Sequence, residues 1–257
     1  MTMTAIAPYT PAGGLEGKLR RLSARLLGVS PLTVSLDKPL ISFSFDDFPR
    51  SAGEAGADIL EASGWRATYY AAGGFAGGVT HLGEMYDFDQ LSDLAARGHE
   101  IACHTYAHPD LSRLSATGAL AECARNRDTH ARLKNTRPFE TFAFPYGEAT
   151  PAAKRGLLGV YRALRGVRPG VNRGRVDRGL LKAVPLDGGE FGLARALRAI
   201  ADVRAQPGWL IFYGHDVRNS PSEWGCSPRF LETVCQACEG LDVRPVARAL
   251  DHVETKA

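Results

Sequence analysis

No stretch of the chain approaches the ~20 consecutive apolar residues that a membrane-spanning helix needs, so no transmembrane segment is predicted. Basic residues outnumber acidic ones by only three, 31 against 28, and no Lys/Arg-rich block lies outside residues 18–25. That balance argues against a nucleic-acid partner. Cysteine is scarce and odd in number, five in 257 residues, which speaks against a disulfide framework and for reduced thiols. Residues 1–14 hold neither an early basic cluster nor an apolar h-region. No secretory signal is therefore expected, and with the thiols this points to the cytoplasm. The glycine-rich run 73–78 lacks the strand–GxGxxG–helix setting of a dinucleotide fingerprint and reads as a turn. What remains is ordinary for a globular protein: 44% apolar and 23% charged residues, enough for one full core.

The chain divides at about residue 37. Residues 1–14 are rich in Pro, Gly, Ala and Thr and read as flexible. Leu15, Leu19, Leu22 and Leu26 then recur at helical spacing, with Lys18, Arg20, Arg21 and Arg25 between them. This basic amphipathic helix reads as packed on the folded body; peripheral membrane contact or a homo-oligomer contact is the alternative. Over 38–257 strand and helix signals alternate. Strands are expected at 40–45, 66–72, 99–103, 141–144, 160–165, 180–186 and 209–213. Helices are expected at 51–63, 87–97, 115–133, 191–205, 227–240 and 246–253. Repeated strand–helix units imply a mostly parallel α/β sheet, and this many favours a closed barrel.

The reactive side chains follow apolar runs. Asp46 and Asp47 follow Ile41–Phe45, His104 and His108 follow Ile101-Ala102-Cys103, and His215 follows Trp209–Gly214. Residues leaving the C-terminal ends of barrel strands converge on one face, so two carboxylates and three imidazoles there suggest a hydrolytic metal site. His104 and His108, four apart, would share a face if they stood on one helical turn. Adjacent Asp46 and Asp47 offer one carboxylate to a metal and one to a base, because neighbouring side chains at a strand end point different ways.

In order, Ser44-Phe45-Asp46-Asp47, Gly98 through Pro109, Phe144-Pro145-Tyr146-Gly147 and Leu210 through Asp216 resemble signature motifs of NodB-type polysaccharide deacetylases, carbohydrate esterase family 4. The resemblance runs over roughly residues 39–250. It implies a distorted (β/α)7 barrel that removes N-acetyl groups from amino sugars of the N-acetylglucosamine type with a divalent metal, commonly Zn²⁺. It implies Asp46 as general base, Asp47, His104 and His108 as metal ligands, and His215 as general acid. The backbone N–H of Tyr146 is a candidate oxyanion donor, since Pro145 has none. Length and motif wording are similar to holdfast-type exopolysaccharide deacetylases, which implies a polysaccharide or its precursor as substrate. The chain also departs from the family. Phe48 stands where a Gly usually follows the Asp pair, and should alter the cleft floor. The third motif lacks its Arg, for which Arg165 is a candidate replacement. The fourth motif is unrecognisable, leaving Asp177 and Asp187 as candidate partners of His215. Hydrolysis of a small non-sugar amide or formyl group, or non-catalytic carbohydrate binding on the same barrel, are the alternative readings.

Other residues carry blander expectations. Cys103, Cys226, Cys235 and Cys238 read as small core hydrophobes, and Trp209 as packing. His99 is expected to pack or bond at its strand start; His81, His130 and His252 read as exposed. Trp224, in the loop after His215, is the expected substrate contact.

Overall fold

The structure is a computed structural model that describes residues 9–131 and 137–256. Helix α1 (Gly14–Leu26) and strand β1 (Pro31–Val34) precede β2 (Leu40–Asp46). A π-helical turn, Ala52–Gly56, runs into α2 (Ala57–Ala62), then β3 (Thr68–Ala71) and a small hairpin of β4 (Val79–Thr80) and β5 (Gly83–Glu84). There follow α3 (Phe88–Ala96), β6 (Glu100–Cys103), α4 (Ala116–His130), β7 (Thr141–Ala143), α5 (Pro151–Leu158), β8 (Ala163–Arg165) and β9 (Gly174–Asp177). The chain ends through β10 (Val184–Pro185), α6 (Gly189–Ala205), β11 (Trp209–Gly214), α7 (Pro228–Ala237), β12 (Asp242–Val243) and α8 (Val246–Lys256).

Seven parallel strands lie in the order β10-β11-β2-β3-β6-β7-β8. The ring closes through a thin seam. Ahead of β10, Leu181 bridges Arg165 of β8, with Leu181 N–H donating to the Leu164 carbonyl at 2.9 Å and Gly166 N–H to that of Leu181 at 3.0 Å. This is the expected distorted (β/α)7 barrel. The expected strand 180–186 is reduced to two paired residues and one bridge, because Pro185 lacks a ladder donor.

Strand β2 is buried along its whole length. Its period of two divides the labour. Ile41, Phe43 and Phe45 join the core under the helices, while Ser42, Ser44 and Asp46 face inside the ring. There Trp209 Nε1–H donates to Ser42 Oγ at 3.0 Å and Ser44 Oγ–H to the Phe212 carbonyl at 2.7 Å, so the polar positions are satisfied. Helix starts follow local capping chemistry: Asp87, Ser115, Thr150 and Ser227 each accept from a backbone N–H in the first turn.

Helix α1 packs against α5, but not through its leucines. Gly17 and Ala24 form the buried face, while Leu15, Leu19, Leu22 and Leu26 are 73%, 56%, 47% and 67% exposed. Ala24 joins the core with Ala153 and Leu157 of α5, and Gly17 lets the preceding segment approach at Ala12. Buried Lys154 clasps the end of the helix, donating to the Ala24 and Leu27 carbonyls at 2.7 and 3.2 Å and pairing with Asp177. Strand β1 then pairs antiparallel with β9, two short strands outside the periodic pattern.

All five cysteines are free and buried, and Trp209 is core. His99 accepts from Ala67 N–H at Nδ1 and meets Glu61 at Nε2. His130, expected to be exposed, is buried between Phe88 and Phe139. Residues 1–8, and the expected extension of α4 to residue 133, lie outside the described residues.

Candidate metal centre and active site

Asp46 ends β2 and Asp47 begins the loop after it; His104 follows β6 directly, and His215 follows β11. The barrel thus brings all the sequence-predicted groups to its C-terminal face. A cavity of about 210 Å³ is lined there by Asp46, Asp47, His104, His108, Tyr146, His215 and Trp224.

Asp47, His104 and His108 offer ligand atoms that all lie within 4.8 Å of one another. Asp47 Oδ1 lies 3.3 Å from His108 Nε2 and 3.7 Å from His104 Nε2. The two histidines do not share a helical turn, as their spacing suggested. They stand on a loop in which the Thr105 hydroxyl accepts from His108 N–H at 3.1 Å, and Thr105 and His108 take positive φ values of 64° and 52°. Pro109 is the signal for this, since the residue before a proline is steered out of the right-handed helical region.

The donor set suits a divalent cation. His104 Nδ1–H donates to the Ala143 carbonyl at 2.8 Å, which leaves the Nε2 lone pair facing Asp47. Asp47 Oδ1 is buried and has no hydrogen-bond partner among the described residues. Burial, reinforced by the neighbouring Asp46 charge, pushes the Asp47 carboxyl well above its ordinary range. Burial likewise pushes His104 down to about 3 and His108 well below its ordinary value. Two neutral imidazoles beside a carboxylate that lacks a counter-charge form a site that a cation completes.

Asp46 is held differently. The Arg165 guanidinium, fully buried, pairs with Asp46 Oδ1 and donates to the Gly166 carbonyl at 3.0 Å. It lies 5.0 Å from the ring centres of both Tyr70 and Tyr213. Arg165, the candidate replacement for the missing third-motif Arg, thus reaches Asp46 from β8 rather than from β7. His215 has no carboxylate partner among the described residues: its Nδ1 bonds the Trp224 carbonyl at 3.2 Å. Asp177 is engaged by Lys154 and Asp187 by Arg195, so neither candidate partner reaches it. Burial lowers the His215 imidazole below its ordinary value. Buried Asp216 fixes the loop that delivers Trp224, accepting from Ser222 N–H at 2.9 Å and from Arg218 Nε–H at 2.8 Å.

Tyr146 stands at φ 57°, its ring edge-on to His108 at 4.4 Å. Its backbone N–H donates to no described group of the protein. The Trp224 side chain is 45% exposed and forms part of the cavity wall. Phe48 does not alter the cleft floor: it is buried, stacked on Tyr86 at 4.2 Å and edge-on to Tyr69, away from the cavity. Two wall elements carry no signal in the sequence. One is the hairpin tip Thr80-His81-Leu82; the other is Tyr9, whose hydroxyl bonds Asp110 and whose ring lies 4.5 Å from Tyr146. All five non-glycine residues at positive φ among the described residues (Asp47, Phe48, Thr105, His108 and Tyr146) are at or beside this site. Such concentration of backbone strain is a mark of functional loops.

Residues 33–158 match the family described as polysaccharide deacetylase. A probable peptidoglycan-N-acetylglucosamine deacetylase of Arthroderma benhamiae is 30% identical over 115 residues, 44% of this chain and 25% of that protein. A chitin deacetylase of Colletotrichum lindemuthianum is 26% identical over 109 residues, 42% of this chain and 43% of that one. The chain thus spans under half the length of these curated relatives. The solved chitin deacetylase of Colletotrichum lindemuthianum superposes with a TM-score of 0.63 at 17% identity, covering 87% of this chain and 92% of that one. The Xyl-CE4 domain of a multidomain xylanase from the Trinervitermes trinervoides hindgut metagenome gives 0.60 at 18%, covering 84% and 91%. Residues 33–158, just under half of the chain, are thus similar in sequence to the polysaccharide deacetylase family, and most of the chain shares the fold of these solved structures.

Proposed function

We propose that this chain is a metal-dependent hydrolase that removes N-acetyl groups from amino sugars, of the N-acetylglucosamine type, in a polysaccharide or its precursor. The observation that carries the reading is the buried, unpartnered Asp47 Oδ1 facing the Nε2 atoms of His104 and His108, beside an Asp46 locked by Arg165. The relatives' names, chitin deacetylase and peptidoglycan-N-acetylglucosamine deacetylase, support the substrate class.

Asp47, His104 and His108 would hold the metal, for which two imidazoles and one carboxylate suit Zn²⁺. When bound, a divalent cation supplies polarisation of the acetyl carbonyl and a lower pKa for water. Asp46, fixed in orientation by Arg165, accepts the proton of the attacking water. The free N–H of Tyr146 lies ready for the developing oxyanion. With Nδ1–H donated to the Trp224 carbonyl, Nε2 of His215 is the atom that hands a proton to the departing sugar nitrogen. Trp224 offers an indole face for a sugar ring at the cavity mouth. We place the reaction in the cytoplasm, in biosynthesis of an exopolysaccharide of the holdfast type. Five free, buried thiols and the motif wording support that placement.

The test is acetate release from N-acetylglucosamine oligomers by metal-stripped protein, with and without added Zn²⁺, beside Asp46→Asn and His104→Ala. Metal-dependent release lost in both variants is expected. Turnover of small formyl or acetyl amides but not of the oligomers would overturn the sugar assignment. Stoichiometric metal binding with no turnover of either would favour a carbohydrate-binding role.

A further inference from the structure

Helix α1 presents an apolar face that no described residue covers. At ~100° per residue, Leu15, Leu19, Leu22 and Leu26 fall within an arc of about 60°. Ala24, which packs into the core beside α5, and Gly17, which the preceding segment covers at Ala12, lie on the opposite side. Exposed Leu27 and Val29 extend the patch past the helix end. The helix cannot roll to bury its leucines. Arg20 donates to Ser112 Oγ at 2.6 Å, Arg21 pairs with Glu148 at 2.8 Å, and Lys154 clasps the last carbonyls. The orientation is therefore built in.

The charges around this face have one sign. Lys18 and Arg25 border the same edge of the leucine arc, both exposed, and neither forms an ion pair among the described residues. Arg155 of α5, also exposed, lies beside Gly28 at the C-terminal end of the helix. The one acidic residue of the helix, Glu16, is neutralised by Arg20 at 2.6 Å. Leucines bordered by unpaired cations form the pattern of a helix that lies in a lipid interface.

We propose that α1 docks this protein on an anionic lipid bilayer surface, with its leucines among the acyl-chain boundary and Lys18, Arg25 and Arg155 at the headgroups. A second copy of the chain fits less well. In a two-fold antiparallel pairing each edge meets its own counterpart, so the Lys18/Arg25 edge would abut itself. The area is also small: a helix about 20 Å long and about 10 Å wide offers roughly 200 Å², against about 800 Å² per partner in a standard interface. A bilayer meets both conditions, since it supplies negative charge and needs no closed shape. Ser112 and Glu148, on which α1 rests, belong to the loops that follow β6 and β7. Docking would therefore hold the catalytic face near the lipid.

The experiment is flotation of the full chain with vesicles of phosphatidylcholine alone or with one-third phosphatidylglycerol. Its companions are L19S/L22S and K18E/R25E, all exposed positions, with circular dichroism to confirm the fold. Flotation with the anionic vesicles only, weakened by salt and reduced at least about tenfold in each variant, is expected. Absence of flotation, or flotation unchanged in L19S/L22S, would overturn the proposal. Light scattering without lipid adds a separate outcome: a two-chain mass that falls to one chain in L19S/L22S would assign the face to self-association instead. None of these readouts depends on deacetylation.

Discussion

Replacing Arg165 by Met should be the most informative single change in the barrel. The methionine keeps the volume of the side-chain stem but leaves Asp46 buried, at 3% exposure, without its counter-charge. Breaking one half of a buried ion pair costs about 3–5 kcal/mol, because the remaining charge keeps its desolvation penalty and loses its partner. For a chain of this size that is a fall in Tm of roughly 6–20 °C. Asp46→Asn should cost less, since Arg165 keeps the Gly166 carbonyl and the faces of Tyr70 and Tyr213. The double variant is decisive. With both charges gone the penalty disappears, so R165M/D46N should be more stable than R165M alone, with a coupling energy of about 2 kcal/mol or more. Denaturant unfolding of the four proteins measures this. In the deacetylation assay R165M, with Asp46 intact, should lose about tenfold to a hundredfold in kcat, part of the ~10²–10⁴ that a positioned base contributes. Arg165→Lys should recover charge but not the forked geometry, and so only part of the rate. Additive stabilities within about 0.5 kcal/mol would refute the idea that this pair is what holds Asp46.

Phe48→Gly should destabilise by about 1–4 kcal/mol in thermal unfolding. Relief of a residue at φ 22° returns about 1–2 kcal/mol, but removing the aromatic stack on Tyr86 and Tyr69 costs about 3–5. Glu61, held below the ordinary carboxylate value of 4.5 by its hydrogen bond to Arg97, contributes stability that is present above that value and lost as pH falls through the lowered one. Glu61→Gln should therefore be less stable than the parent by about 1 kcal/mol at pH 7, with the gap closing below pH 4.5 in acid titrations of Tm. Trp224→Ala should raise KM for oligosaccharides severalfold and leave kcat nearly unchanged, because His215 is bonded to the Trp224 backbone carbonyl rather than to the indole; a matching fall in kcat would show that the side chain sets the acid.

Much of this was legible in the sequence where a local rule was strong. Ile41–Phe45 reads as a strand because its apolar positions alternate with serines, and Asp46, Asp47, His104 and His215 follow from their place after apolar runs. The rest depended on distance in three dimensions. The sequence offers Arg165 only as a candidate replacement for the third-motif Arg; it lies 119 residues from Asp46, and only the closing ring makes them neighbours. The histidine spacing suggests a helix because i,i+4 is ambiguous, and Pro109 is the signal against it. The leucine stripe of α1 suggests its buried side, whereas Ala24 makes the contact with the core and Gly17 lies under Ala12 of the preceding segment. Strands β1 and β9 and the hairpin tip at Thr80–Leu82 are too short for any period to register.

The seam at Leu181–Pro185 has a consequence for how this barrel would fail. Arg165 is at once the residue bridged across that seam and the cation that spans the ring to Asp46, so the ion pair acts as a chord across the joint. A barrel fastened there by one bridge and a two-residue strand would breathe first at that point, and each opening would slacken the chord. Loss of turnover on warming would then run ahead of melting of the helices, with the chemistry switching off reversibly while most of the hydrogen-bonded frame still stands.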